Sequence, residues 1–251
     1  MKKLAMFFAA ALLMVAAAAC TDGFPIKILS GNGVSAEQVL DVHDFTAIEI
    51  LGSMDVYYTQ GPESVTLTAD ENLMEYYSIT EVSGNLVVTS KKGCILSPKA
   101  KTYLTVSAPD LAKVIILGSG DCVLRGDFQT DGDFSFTLGG SGDLDAGRVS
   151  CKDFSASITG SGDIEVDALV ASSASFTISG SGDVEVGALT SETTRLRITG
   201  SGDADIVCRD AGDITVNLTG SGDAHLTGTA KSLDAKTTGS GKVYRDGLVL
   251  Q

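Results

Sequence analysis

The stretch ITGSGDIEV, residues 158–166, places two glycines, a serine and an aspartate between β-branched residues, as a turn between strands would. Its core returns along the chain: GSGD begins at Gly118, Gly140, Gly160, Gly180, Gly200 and Gly220, and GSGK at Gly239. Subtraction gives intervals of 22, 20, 20, 20, 20 and 19 residues, the length of one solenoid coil.

Alignment on the first glycine exposes a two-residue alternation. Two positions before it stand Leu138, Ile158, Ile178, Ile198 and Leu218; four before it stand Phe136, Ala156, Phe176, Leu196 and Val216. Four positions after it stand Leu144, Ile164, Val184, Ala204, Ala224 and Val243; six after it stand Ala146, Val166, Val186, Ile206 and Leu226. All share one parity, so they point to one buried side. Carried through the motif, that parity places Gly118, Gly120, Gly140, Gly142, Gly160, Gly162 and Gly180 on the inside, and likewise Gly182, Gly200, Gly202, Gly220, Gly222, Gly239 and Gly241. Serine and aspartate then face out, and the chain bends round a corner too tight for an inner Cβ. The expected fold is all-β, a parallel β-solenoid whose equivalent residues stack about 4.8 Å apart. Its rival is a meander of hairpins with GSG at each tip, which would not reward the same side chain at the same offset in every unit.

The N-terminus reads differently. Residues 1–19, MKKLAMFFAAALLMVAAAA, combine two lysines, an apolar run and small residues, as a signal peptide does. The run Ala17, Ala18, Ala19, Cys20 resembles a lipobox, in which Cys20 is lipidated and becomes the mature N-terminus. Cleavage after an alanine by ordinary signal peptidase and retention as a membrane anchor are the competing readings, the second disfavoured by a run short for a bilayer. Residues 20–40 read as a linker, 41–112 as an N-terminal β region with short strands such as DVYYTQG and YLTVSAP, and 113–251 as the repeat solenoid. ENLMEYY, residues 71–77, is the one segment expected to form a helical turn.

Loss of the signal's two lysines takes the formal charge from −14 to −16. A nucleic-acid partner is excluded on that ground, since a polyanion needs a clustered basic face. Cys94, Cys122, Cys151 and Cys208 show no CxxC pairing, so buried free thiols are expected in preference to a zinc site or a bridge.

The outward positions carry two chemistries. Before the motif lie hydroxyls, with Thr159, Ser179, Thr199 and Thr219 in one row and Thr137, Ser157 and Thr177 in the next. They suit a solvated strand and can bond stacked neighbours. Such a lattice can also bind ice or a polysaccharide, but Arg195, Arg197, Asn217 and Lys236 interrupt it. After the motif lie acids: Asp121, Asp143, Asp163, Asp183, Asp203 and Asp223 in one row, and Asp145, Glu165, Glu185 and Asp205 in a second. Unit charges at this spacing repel by about 1 kcal/mol per pair even in water. Backbone N–H donors at the bend would offset that repulsion. A line of Ca²⁺ ions on the first row, Asp121 to Asp223, is the alternative. His43 and His225 lie in different regions, and no GxSxG, HExxH or P-loop occurs. Because the acids recur in every coil, they read as scaffold, not as a catalytic site.

The segments FTAIEILGSMDVYYTQG, VTLTADENLMEYY, GNLVV and YLTVSAPDLAKVIILGSGD, followed by serial GSGD, resemble the DUF2807 family of exported bacterial proteins, described as the "putative autotransporter-adhesin, head GIN domain". The resemblance spans about Asp41 to Tyr244. It implies a right-handed β-helix with no catalytic residues, its GSG motifs marking tight turns, and a role in adhesion by structural analogy. It also aligns LGSMD, residues 51–55, with LGSGD, residues 117–121, so that Met54 takes a glycine's place. Residues 41–112 then read as an irregular continuation of the stack or a small β domain docked on its end.

The expected function is that of a non-enzymatic outer-membrane lipoprotein, periplasmic or surface-facing, displaying a solenoid for adhesion or for binding carbohydrate or protein. A structural or oligomer-assembly envelope module is the alternative, and a polysaccharide-active enzyme the weakest one.

Overall fold

In the computed structural model, which describes residues 26–251, the strands that follow the repeats lie directly on one another in parallel. Leu144–Ile158, Ile164–Ile178, Val184–Ile198 and Ala204–Leu218 pair in sequence order, and a step of 20 residues brings Ile164 onto Val184 and Ile178 onto Ile198. This is the β-solenoid, and no hairpin reverses at GSG. The signal peptide and Cys20 lie outside the described residues.

Each coil has three sides. Along Leu144–Ile158 the buried positions are 144 and 146, then 149 and 151, then 154, 156 and 158. The alternation therefore skips a residue twice, and the chain bends near 147–148 and 152–153 as well as at GSG. Only the GSG corner repeats in sequence, because the other two bends take a glycine only occasionally. The core fills this prism with the aliphatic rows and with an aromatic stack in which Phe136, Phe154 and Phe176 lie 5.5 and 5.6 Å apart.

The motif's glycines have a more specific cause than a crowded interior. A Cβ on Gly160 would sit 1.9 Å from the carbonyl oxygen of Gly140, and one on Gly162 would sit 2.0 Å from that of Gly142. The obstacle is thus the backbone of the neighbouring coil, not the inside of the turn. The ladder continues through the corner, where Ser161 N–H donates to Gly140 and Ser181 N–H to Gly160, both at 3.0 Å. Left-handed φ plays almost no part, Gly239 being the only motif glycine with a positive value.

The N-terminal half joins the same stack in a shuffled order. Ala47–Ile50 and Asp55–Gln60 lie against Lys113–Ile116 and Cys122–Arg125 on one side. On their other side lie Asn85–Ser90 and Tyr103–Ala108. The coil that comes first in sequence is therefore second in space. Antiparallel strands then close this end: Ser64–Asp70 and Ser35–Leu40 extend one face, and Tyr77–Val82 extends the other. Such a closure covers a core edge that would otherwise be open. The stretch 71–77 supplies a single 3₁₀ turn at Met74–Tyr76.

Part of the segment expected as a linker is structured. Lys27–Ser30 pairs in parallel with Cys94–Ser97, and Ser35–Leu40 pairs with Ser64–Asp70. Both are edge strands with mostly exposed side chains, so they lack the apolar alternation that reveals a strand in sequence.

Met54 follows from the shuffled order. Gly120, one coil above, could not carry a Cβ, because it would lie 2.2 Å from the Met54 carbonyl oxygen. Beneath Met54 the chain leaves the coil to form Cys94–Ser97, and a Cβ on the accompanying Gly52 would meet only the Thr89 Cα, at 3.9 Å. Glycine is demanded where another corner lies below, and the lowest corner is relieved of that demand.

Candidate functional surfaces

The first acidic row is built into the ladder. The backbone N–H of Asp143 donates to Asp121 Oδ1 at 2.9 Å, that of Asp163 to Asp143 at 2.9 Å, and that of Asp183 to Asp163 at 2.7 Å. The series continues through Asp203 and Asp223 to the N–H of Lys242, and it starts where Asp121 N–H meets Asp55 at 3.2 Å. One oxygen of each carboxylate thus accepts a hydrogen bond from the next coil. Among the described residues no group of three or more His, Cys, Asp or Glu side chains converges as a metal ion would require.

The second row has no such donors. Burial, followed by the charges of Asp143, Asp121 and Asp167, pushes the Asp145 carboxyl above its usual range. Burial and then Glu185, Asp145 and Asp167 do the same for Glu165. Rings lie at both ends of this row. Tyr57 packs edge-on to Tyr103 with Arg125 4.0 Å over its face, and His225 stacks on Tyr244 at 4.5 Å.

The hydroxyl face has the opposite character. Ser135, Ser155 and Ser175 form one outward column, and Thr137, Ser157 and Thr177 form the next. Stacked hydroxyls were expected to bond one another, but the described pairs show this at Thr199 and Ser179, 3.1 Å apart, and not in these two columns. At ladder spacing, two short side chains meet only when both rotamers lean along the stack axis. These six hydroxyls therefore contribute no hydrogen bond to the fold. Arg195 and Arg197 continue the same two columns one coil further on.

Asp70 was not singled out by sequence. It is fully buried, yet its carboxylate accepts the N–H of Gly33 at 2.6 Å, Lys99 at 2.9 Å and Ala100 at 3.0 Å. It pins two loops to the closed end of the stack, and a Cβ on Gly31 would lie 2.4 Å from it. Burial works against its charge, but the three N–H donors and Lys99 outweigh burial and hold its pKa below the usual value. A lone aspartate followed by Glu71 and Asn72 carries no local sign of this role.

The remaining candidates are scaffold. Cys122, Cys151 and Cys208 are buried free thiols and Cys94 is a half-buried one. Cys208 takes the core place that Leu189 holds one coil earlier. His43 lies exposed between Asp41 and Glu63, far along the chain from His225. A cleft of about 280 Å³ beneath the Met54 corner is lined by apolar and hydroxyl groups, including Tyr77, Thr89, Leu96 and Pro98, with no charged residue.

A parallel stack of coils closed at one end by antiparallel strands, its first acidic row spent on the ladder and two hydroxyl columns left outward, places the chain among the β-solenoid proteins. The chain belongs to the DUF2807 family, described as "Putative auto-transporter adhesin, head GIN domain", whose model matches residues 44–216. Three solved structures share the fold. A "putative adhesin" from Bacteroides fragilis is 22% identical, with 86% of this chain and 99% of that one covered and a TM-score of 0.73. A "putative lipid binding protein" from Parabacteroides distasonis is 20% identical, with 89% and 100% covered and a TM-score of 0.71. A "putative adhesin" from the same species is 19% identical, with 89% and 100% covered and a TM-score of 0.72. No curated protein matches the sequence.

Proposed function

We propose that this protein is a non-enzymatic adhesion module of the cell envelope, tethered through a lipid on Cys20, whose hydroxyl face binds carbohydrate or protein. The observation that carries this reading is a division of labour. The first acidic row, the more conspicuous feature, is consumed by hydrogen bonds between coils, whereas the columns led by Ser135 and Thr137 are outward, regularly spaced and unspent. A flat array of donors and acceptors ending in Arg195 and Arg197 suits an extended polar ligand, because each coil offers the same groups at the same spacing. Recurrence of the first acidic row from Asp121 to Asp223, one residue per coil, supports a scaffold over an active site, and the adhesin descriptions of the family and of two structural neighbours agree with this reading.

A glycan array with the purified protein tests it, followed by paired substitutions. Ser155→Glu with Thr177→Glu should abolish the signal, and Glu165→Gln with Glu185→Gln should leave it intact. Binding that survives the first pair would move the ligand off this face. Protease treatment of intact cells tests exposure, since a fully protected protein cannot serve as an adhesin.

A further inference from the structure

The chain is acidic overall, but its basic residues are unevenly placed. Between residues 26 and 112 there are eleven carboxylates, while the lysines are confined to Lys27 and to Lys91, Lys92, Lys99 and Lys101. The pairing of Lys27–Ser30 with Cys94–Ser97 brings these two segments together, and all five lysines are exposed. In the same two strands Ile28 lies opposite Ile95, and both are largely exposed, at 74% and 53%. Ile26, immediately before the first of these strands, is 67% exposed. Three exposed isoleucines in and beside two paired strands, with exposed lysines in the same segments, are not what a solvated edge strand requires.

The position of this patch names its partner. Six peptide steps separate Cys20 from Ile26, which at full extension is about 20 Å. A lipid on Cys20 would therefore hold these strands within that distance of a bilayer. Apolar side chains flanked by lysines match the interface of an anionic membrane, where the isoleucines reach the acyl boundary and the ammonium groups meet phosphates. We propose that the Lys27–Ser30/Cys94–Ser97 pair docks on the anionic bilayer surface beside its own tether, setting the closed end of the solenoid at the membrane and directing the repeat coils away from it. This inference rests on the lipid-tether reading and adds a second contact to it.

The chain contains no tryptophan, so a single one reports its own surroundings. Ile95→Trp and Ile28→Trp place it in the patch, and Val249→Trp, 61% exposed in the last coil, places it at the far end. The full mature protein is bound to vesicles of phosphatidylcholine and phosphatidylglycerol with brominated acyl chains. Quenching at least several-fold stronger for the two patch variants than for Val249→Trp is expected. Lys91→Glu with Lys92→Glu should weaken docking on anionic vesicles by roughly fivefold per lysine. Equal quenching at both ends, with the protein still on the vesicles, overturns the docking face and leaves the tether standing. A mature mass without acyl chains overturns the tether alone. The same comparison at excess lipid then decides the docking face, where again unequal quenching supports it and equal quenching ends it.

Discussion

The Oδ1 atom of Asp163 lies 2.7 Å from the backbone nitrogen of Asp183, so a carboxylate of one coil accepts the N–H of its own counterpart in the next. The row of acids is therefore a row of hydrogen bonds running along the stack. Asp163→Ala, which leaves that N–H to water, should cost about 1 kcal/mol, whereas Asp163→Asn keeps an acceptor, removes a charge and should cost less. Thermal melting of the two variants measures the difference. Ca²⁺ and EDTA should give the same midpoint for the native protein, and a rise with Ca²⁺ would show that the second oxygens of the row bind cations.

Position in the stack, and not the motif itself, sets the tolerance of each glycine. Gly140→Ala drives a Cβ to 1.8 Å from the Gly118 carbonyl oxygen, but Gly52→Ala meets nothing closer than 3.9 Å. The first should destabilise by about 3 kcal/mol or more and the second by less than about 1 kcal/mol. Denaturant unfolding of both variants is the check, and comparable losses would contradict the assigned order of coils.

Stability should be greatest at mildly acidic pH. Asp145 and Glu165 have raised pKa values, from burial and then from neighbouring carboxylates, so the folded state binds their protons more tightly and gains stability as pH falls through those values. His43 is raised by its hydrogen bonds to Asp41 and Glu63. Its contribution is complete below the unfolded histidine value of about 6.5 and is lost as pH climbs through the folded one. Asp70 is lowered, its N–H donors overcoming burial, and Asp213 is lowered by the Ser232 hydroxyl and Lys231. Their contributions persist above about pH 4 and vanish as pH drops through their folded values. The melting temperature should thus rise from pH 8 to about pH 5 and fall below about pH 4. A profile that falls steadily from pH 8 to pH 5 would be the opposite result.

Thiol reactivity should single out Cys94. Burial pushes Cys122 up to about 12 and Cys151 and Cys208 up to about 11, so all three carry little thiolate near neutrality and are shielded as well. Brief maleimide labelling of the native protein, read by peptide mass, should modify Cys94 well ahead of those three. Unfolding should make all four reactive.

Asp70→Asn should loosen one end of the molecule and spare the rest. With its charge gone, the N–H groups of Gly33, Lys99 and Ala100 lose their strongest acceptor. Hydrogen exchange should accelerate in residues 27–34 and 98–101 while the amides of Ile164–Ile178 keep their protection. Uniform acceleration would mean that the closed end and the coils unfold as one unit.

The repeat made the coils readable because stacking turns one local requirement into the same residue at every twentieth position. Ile158, Ile178 and Ile198 sit on one another, and so do their glycines, so period and parity alone establish a solenoid and its inward rows. Tertiary structure decided what happens where the repeat stops. That Ala47–Ile50 lies between Asn85–Ser90 and Lys113–Ile116 depends on pairings across tens of residues, which leave no periodic trace. The buried anchor at Asp70, the freedom of Met54 from the glycine rule and the meeting of Lys27 with the lysines of 91–101 follow from that order. Each is made by contacts between distant segments, and no residue's own neighbours in the chain encode them.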